Sequence, residues 1–106
     1  MVKKLGNKAE FDQFLEENKD VLVVIDFTAA WCGPCKTISP HFEKLNEKFP
    51  KLALAKVDVD ENEETAQDCG ISAMPTFILF GKEGKVDSMT GANIQKLEEI
   101  IKKHYK

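Results

Sequence analysis

The sequence predicts an α/β fold in which helices pack on both faces of a central mixed β-sheet. Three observations carry this prediction: helical and extended hydrophobic periods alternate along the chain, one extended segment is apolar almost throughout, and two others flank a glycine-bounded turn. Such an order of elements is typical of a sheet covered by helices. The chain has 106 residues, an ordinary single-domain size, so we expect one domain over residues 1–106.

A helix and a buried strand account for the first part of the chain. Asn7 stands three residues before Glu10, as in a helix-capping arrangement, and an apolar stripe of helical spacing then continues to about Asn18. Residues 21–27 are almost all β-branched or apolar, which suits a central strand covered on both faces. Asp26 is the one residue that breaks this pattern.

A second helix should begin at Pro34 and end before Pro50. Pro40 lies inside it and should kink it, because proline lacks a backbone donor and clashes with the preceding turn. The apolar residues at helical spacing are Ile38, Phe42, Leu45 and Phe49.

The second half of the chain predicts another strand, a short helix, a hairpin and a last helix. Residues 52–59 are mostly small or apolar and predict the strand. Asp60 and Glu63 can cap the short helix, which Gly70 closes. A hairpin is expected where residues 76–80 and 85–90 flank a turn bounded by two glycines. Asn93 can start the last helix, whose shared apolar face comprises Ile94, Leu97, Ile101 and Tyr105.

Composition and charge exclude several classes of function. The formal net charge is −3, with 15 lysines against 18 acidic residues and no arginine, which argues against a nucleic-acid partner. The N-terminus lacks the apolar core of a secretory signal and the arginine-rich pattern of a transit peptide. The longest apolar run, residues 21–25, is too short to cross a bilayer. We therefore expect a cytoplasmic protein without a membrane partner.

Cys32 and Cys35 form a CxxC pair at the start of the second predicted helix. Residues three apart on a helix share a face, so their Cα atoms should lie about 5 to 6 Å apart, within disulfide range. Unpaired backbone N–H groups and the positive end of the helix dipole favour an anion at Cys32. They should lower the pKa of its thiol and make it the attacking sulfur, whereas the more buried Cys35 suits the resolving role.

The neighbours of the two cysteines favour access by another protein. Pro34 has a preset φ at the first helical position and stiffens the turn that holds both sulfurs. Gly33 leaves the flank of Cys32 open, and Trp31 supplies a large apolar surface beside it.

Asp26 is a carboxylate inside an apolar strand, where its ionised form is disfavoured and its pKa should rise towards neutrality. An acid with such a pKa near the base of the CxxC helix could take a proton from Cys35 when that thiol must become a nucleophile. The alternative is that Asp26 turns outward at the end of the strand and stays solvated.

Other uses of the cysteines stay open on the residues alone. A CxxC supplies two of the four ligands of a structural zinc site, but Cys69, His41 and His104 show no second paired spacing, so we expect no metal. A purely structural disulfide is disfavoured by the missing secretory signal. A partner-binding role independent of redox chemistry would survive replacement of both cysteines by serine. Cys69 is expected to be a packing residue rather than a regulatory thiol.

The motif WCGPC at residues 31–35, with Asp26 before it and Met74-Pro75-Thr76 and Gly91-Ala92 after it, resembles the thioredoxin family. The similarity covers essentially the whole chain and is greatest to the short cytosolic eukaryotic kind. It implies a thioredoxin fold, in which about four helices flank a mixed sheet of four to five strands, and an enzyme that reduces protein disulfides.

The resemblance also implies roles for individual residues: Cys32 is the nucleophile, Cys35 the resolving thiol and Asp26 the buried acid and base, with Lys56 near it. It implies a cis peptide bond before Pro75, although only about 5 to 6% of X–Pro bonds in folded proteins are cis. That bond would place the Met74 backbone beside the sulfurs. The implied docking surface for partners is apolar and consists of Trp31, Gly33, Pro34, Met74, Pro75, Gly91 and Ala92.

The implied partners follow from the same resemblance. A thioredoxin reductase would regenerate the dithiol with NADPH, so that no cofactor need bind this chain. Peroxiredoxins and ribonucleotide reductase are examples of the implied disulfide-containing clients, and the chain is expected to be mainly monomeric. An oxidase or isomerase is the nearer alternative. Isomerase-like relatives usually carry a histidine between the cysteines and glutaredoxins a Pro-Tyr pair, however, and Gly33-Pro34 matches neither.

Overall fold

The computed structural model describes residues 2–106 and confirms the predicted α/β fold, with one five-stranded mixed sheet and helices on both faces. The strands are β1 (Val2–Lys4), β2 (Val23–Thr28), β3 (Ala53–Asp58), β4 (Thr76–Gly81) and β5 (Gly84–Thr90). The helices are α1 (Lys8–Glu17), α2 (Gly33–Glu43), α3 (Leu45–Lys48), α4 (Glu63–Asp68) and α5 (Ile94–His104). Within residues 2–106, no helix combines the length and apolarity needed to cross a membrane.

The sheet has the strand order β1-β3-β2-β4-β5. β3 pairs in parallel with both β1 and β2, whereas β4 pairs antiparallel with β2 and β5. The parallel strands therefore direct their carboxyl ends to the same edge of the sheet, where the chain leaves β2 and enters α2. This edge is where α/β proteins commonly place their functional sites.

Alternation along the central strands assigns each side chain to one face of the sheet. Val24 and Leu54 belong to a buried cluster with residues of α2, α3 and α5, whereas Ile25 belongs to the cluster under α1. Residues two positions apart on a strand share a face. Asp26 on β2 and Lys56 on β3 therefore lie on the face that α2 covers, beneath the helix that carries both cysteines.

Several predicted element ends are confirmed by their hydrogen bonds. Asn7 Oδ1 accepts the Glu10 N–H at 2.9 Å, and Asn93 Oδ1 accepts the Lys96 N–H at 3.0 Å. These side chains satisfy backbone donors that the first turn of a helix leaves free. After α4, Gly70 takes a positive φ of 68°, the left-handed conformation in which many helices end. The glycine-bounded hairpin is also present as β4 and β5.

The second predicted helix is interrupted, which the apolar spacing did not indicate. The Lys44 N–H bonds to the carbonyl of His41 at 3.2 Å instead of to that of Pro40, so the chain tightens and α2 ends. The four-residue α3 then completes the region predicted as one helix. The predicted apolar residues are buried in one cluster across this break: Ile38, Phe42, Leu45 and Phe49.

β1 is an element that the residue patterns did not predict, although the family resemblance allowed a fifth strand. It is three residues long and lies at the edge of the sheet, parallel to β3. A segment of three residues is too short to show a period of two. Its pairing positions Leu5, which follows it and is fully buried.

The cap of α4 is Asn62 and not Asp60, which corrects the prediction. Asn62 Oδ1 accepts the Thr65 N–H at 3.3 Å, and Asn62 Nδ2 donates to the Leu5 carbonyl at 3.1 Å. Asp60 lies earlier, in a turn in which Asp58 Oδ1 accepts its backbone N–H at 2.9 Å. The buried amide of Asn62 thus joins α4 to the chain that leaves β1.

Asn62→Ala should lower the free energy of unfolding by about 2 kcal/mol, because it removes a helix cap and leaves the buried Leu5 carbonyl unpaired. Urea unfolding followed by circular dichroism measures this difference. Asp60→Ala is the matched control and should change stability by no more than about 0.5 kcal/mol. A larger loss for Asp60→Ala than for Asn62→Ala would show that the cap is wrongly assigned.

Candidate active site

Cys32 and Cys35 are joined by a disulfide at the N-terminus of α2, with their Cα atoms 5.3 Å apart. This distance agrees with the one predicted from their spacing. Cys32 occupies the N-cap position, and its Sγ accepts the Cys35 N–H at 3.2 Å. A backbone donor directed at this sulfur stabilises a negative charge on it once the disulfide is reduced. The geometry therefore favours Cys32 over Cys35 as the thiolate.

Burial does not distinguish the two sulfurs. Cys32 is 4% exposed and Cys35 is 2% exposed. The sequence had predicted that Cys35 would be more buried than Cys32. Both lie in a small buried cluster with Ala29, against which Val59 and Met74 pack. Closing the disulfide turns both sulfur atoms towards each other, so neither cysteine presents much surface in this oxidised form.

The residues beside Cys32 leave its flank open. Trp31 is 67% exposed, and its Nε1 donates to Asp60 Oδ2 at 2.9 Å, which fixes the ring on the surface. Gly33 and Pro34 are exposed as well. A β-carbon placed on Gly33 would have no neighbour within 4 Å. Another molecule can therefore approach Cys32 from this side.

A second loop, which directly precedes β4, approaches the sulfurs. The peptide bond between Met74 and Pro75 is cis, as the family resemblance implied, and Met74 packs against the cysteine cluster. The Pro75 carbonyl accepts the Gly91 N–H at 2.9 Å, so this loop is joined to the one that follows β5. Ala92, next to Gly91, is exposed. The residues of the implied docking surface thus come from three adjacent loops.

Asp26 is buried, with 3% of its surface exposed, so the alternative of an outward, solvated side chain is wrong. Desolvation raises the pKa of its carboxyl to about 7, against the opposing effect of the positive charge on Lys56. Lys56 stands opposite Asp26 in the register of β2 and β3. Within residues 2–106, Asp26 Oδ1 has no hydrogen-bond partner. The carboxyl can therefore exchange a proton near neutral pH.

A cleft of about 200 Å³ separates the first turns of α2 from the sheet. It is bordered by Cys35 and by Lys56, which stands opposite Asp26 in the register of β2 and β3, whereas Asp26 itself does not line the cleft. The remaining lining residues are Lys4, Thr28, Ala29, Ala30, Lys36, Ser39 and Asp58.

The remaining cysteine and the histidines are not part of this site. Cys69 is half-buried at the end of α4 and packs against the cluster under α1, and burial raises the pKa of its thiol. This environment disfavours a thiolate and agrees with a packing role. His41 is exposed on α2, and His104 Nε2 lies 2.9 Å from Asp87 Oδ2. Within residues 2–106, no three potential metal-ligating side chains come together.

Three residues near the site were not recognised from the sequence. Asp60, expected to be a helix cap, instead accepts the indole N–H of Trp31. Thr76 and Thr90, which pair across β4 and β5, bring their hydroxyl oxygens to 3.1 Å from each other next to the cis-proline loop. The sequence carried no signal for the threonine pair, because an irregularity at Leu79 and Phe80 shifts the register that the hairpin turn alone would give.

A cysteine pair at a helix N-terminus, beside a cis-proline loop on a mixed sheet, defines the protein as a thiol–disulfide oxidoreductase. The thioredoxin family model matches residues 2–103, and the chain belongs to the thioredoxin family. The thioredoxin of Geodia cydonium is 53% identical over 106 residues, covering 98% of this chain and 99% of that protein. The thioredoxin of Equus caballus is 46% identical over 102 residues, covering 96% of this chain and 97% of that protein.

Solved structures confirm the thioredoxin fold. Fasciola hepatica thioredoxin superposes with a TM-score of 0.94 at 44% identity, covering 97% of this chain and 99% of that one. A chain in the structure describing the thiol-resolving mechanism of yeast mitochondrial 1-Cys peroxiredoxin via glutathione and thioredoxin systems gives a TM-score of 0.88. It is 39% identical and covers 96% of this chain and 94% of that one.

Proposed function

We propose that this chain is a protein-disulfide reductase that carries electrons in the cytoplasm. The observation that carries the proposal is the Cys35 N–H directed at Cys32 Sγ at the start of α2. A donor in this position stabilises the thiolate that must begin the exchange, and Cys35 lies within bonding distance to complete it.

In the first step, the Cys32 thiolate attacks one sulfur of a substrate disulfide. A bond forms between Cys32 Sγ and that sulfur while the substrate S–S bond breaks. The other substrate sulfur leaves as a thiolate and takes a proton from solvent. The product is a mixed disulfide between Cys32 and the substrate.

In the second step, the Cys35 thiol transfers its proton to the Asp26 carboxylate, directly or through water, and attacks Cys32 Sγ. The Cys32–Cys35 bond forms as the mixed disulfide breaks, and the second substrate thiolate is released and protonated. The substrate gains two electrons, and this chain becomes the disulfide. The pKa of about 7 supports this role for Asp26, because the carboxyl is then present in both protonation states at neutral pH. Lys56 favours its ionised state.

Electrons would return from NADPH through a thioredoxin reductase, so this chain itself needs no bound cofactor. We propose disulfide-containing proteins as clients, with peroxiredoxins and ribonucleotide reductase as examples. The similarity to a chain in the yeast structure that concerns a 1-Cys peroxiredoxin supports peroxiredoxins as clients. The chain would act mainly as a monomer and meet its partners through the exposed or partly exposed residues around the sulfurs, namely Trp31, Gly33, Pro34, Met74, Gly91 and Ala92, with Pro75 beneath them.

Oxidation of NADPH, measured with a thioredoxin reductase and insulin as the disulfide substrate, tests the proposal. The wild-type chain should turn over, Cys32→Ser should fall to the background rate, and Cys69→Ser should keep the wild-type rate. A chain that closes its disulfide but does not reduce insulin, even after direct reduction by dithiothreitol, would disprove the proposed activity. Activity with dithiothreitol but not with the reductase would disprove only the electron donor.

A further inference from the structure

Two hydroxyl groups form a directional chain of hydrogen bonds between the loop that precedes β4 and the end of β5. Thr76 Oγ1 lies 2.6 Å from the Ala73 carbonyl oxygen and 3.1 Å from Thr90 Oγ1. A carbonyl only accepts, and a threonine hydroxyl has one proton to donate. Thr76 therefore donates to Ala73, and Thr90 donates to Thr76.

These bonds join the loop before β4, which contains the cis peptide bond, to the loop after β5, which begins at Gly91. Ala73 lies in the loop before β4, just ahead of the cis peptide bond. Thr90 is the last residue of β5 and stands directly before the other loop. The Gly91 N–H donates to the Pro75 carbonyl at 2.9 Å and makes a second connection. Gly91 has a φ of 108°, a conformation that favours glycine, so the chain can turn away from the sheet directly after the connection.

The Thr76 hydroxyl is the better protected of the two. Thr76 is 9% exposed, whereas Thr90 is exposed, so water competes less for the bond to Ala73. Within residues 2–106, this bond is the only hydrogen bond that holds residues 72–74. The backbone of residues 72–74 thus depends on one side chain, that of Thr76, which Thr90 orients.

We propose that Thr76 is a positioning residue for exchange with protein disulfides. Its hydroxyl, oriented by Thr90, holds the backbone around Met74, whose N–H and carbonyl have no hydrogen-bond partner within residues 2–106 and can therefore pair with an extended segment of the partner. A small disulfide needs only access to Cys32 and does not depend on this backbone. The inference rests on the proposed function, and it separates protein substrates from small ones.

The test compares two substrates for four proteins: wild type, Thr76→Val, Thr76→Ser and Thr90→Val. Reduction of insulin is followed with the reductase and NADPH. Reduction of 5,5′-dithiobis(2-nitrobenzoate) is followed with the pre-reduced chain alone.

For insulin, Thr76→Val should lower kcat/KM by about tenfold, through a higher KM, because valine keeps the shape of the side chain but loses both hydrogen bonds. Thr90→Val should lower it by about twofold, and Thr76→Ser should match wild type. The rate with the small disulfide should be unchanged in all variants.

Equal loss on both substrates, or no loss with insulin, would overturn the inference. Thr90→Val changes an exposed position and provides the same contrast if Thr76→Val does not fold. A wild-type chain that reduces the small disulfide but not insulin would overturn the proposed function and this inference together. Wild-type turnover of insulin that Thr76→Val matches would overturn the inference alone.

Discussion

Cys35→Ser should accumulate as a covalent complex with its protein substrates. Cys32 keeps the helix N-cap position and the path open beside Gly33, so attack on a substrate disulfide continues. Serine supplies no sulfur to displace the substrate, and the mixed disulfide persists. With an excess of a disulfide protein, we expect most of the variant to migrate as a complex on a non-reducing gel. Dithiothreitol should reduce the mixed disulfide and release the substrate. Turnover of the Cys35→Ser variant with the reductase should fall to background.

Two matched variants test the assignment of roles. Cys32→Ser should form no complex, and Cys69→Ser should behave as wild type, because Cys69 packs against the cluster under α1 and not against the sulfurs. Complexes formed by Cys32→Ser through Cys35 would reverse the roles of the two cysteines. A Cys35→Ser variant whose Cys32 is readily alkylated, yet which forms no complex, would also show that the assignment is wrong.

Features that depend on neighbouring residues could be predicted from the sequence. A cap such as Asn7 or Asn93 acts on a donor three residues away, and the glycines at positions 81 and 84 determine a local turn. The placement of Cys32 at a helix start also follows from local signals, because Pro34 is favoured in the first turn. Asp26 could be recognised because a single carboxyl interrupts an otherwise apolar strand.

Features that depend on tertiary contacts could not be predicted in this way. Asn62 caps α4 while bonding to Leu5, which is 57 residues away in the chain, and nothing near Asn62 in the sequence signals that partner. The register of the hairpin is a second example. Counting back from its turn without a bulge places Met89 opposite Thr76, but the irregularity at Leu79 and Phe80 shifts the pairing so that Thr90 takes that position.

Asp26→Asn should raise the free energy of unfolding at pH 8 by about 4 kcal/mol. Burial raises the pKa of Asp26 from 3.8 to about 7. Each pKa unit corresponds to about 1.4 kcal/mol between the two protonation states. The stabilising effect of the neutral form is complete below the unfolded pKa and is lost as pH rises towards the folded pKa. Wild type should therefore lose stability relative to the variant between about pH 4 and pH 7, with no further change above.

Urea unfolding of the oxidised protein at intervals from pH 4 to pH 8 measures this difference. The matched control is Asp20→Asn, which alters an exposed carboxyl in the loop before β2 and should leave the pH dependence as in wild type. A constant difference between wild type and Asp26→Asn across this range would contradict the effect of burial on Asp26.

The same substitution should slow the second chemical step, because asparagine cannot accept the proton of Cys35. Decay of a preformed mixed disulfide, measured from pH 5 to pH 9, should rise through an inflection near pH 7 in wild type and lose that inflection in Asp26→Asn. A variant that is more stable and also slower near neutral pH would show that one buried carboxyl lowers stability and supplies the base. A gain in stability with an unchanged rate profile would instead assign proton transfer to another group, since burial alone would then account for the properties of Asp26.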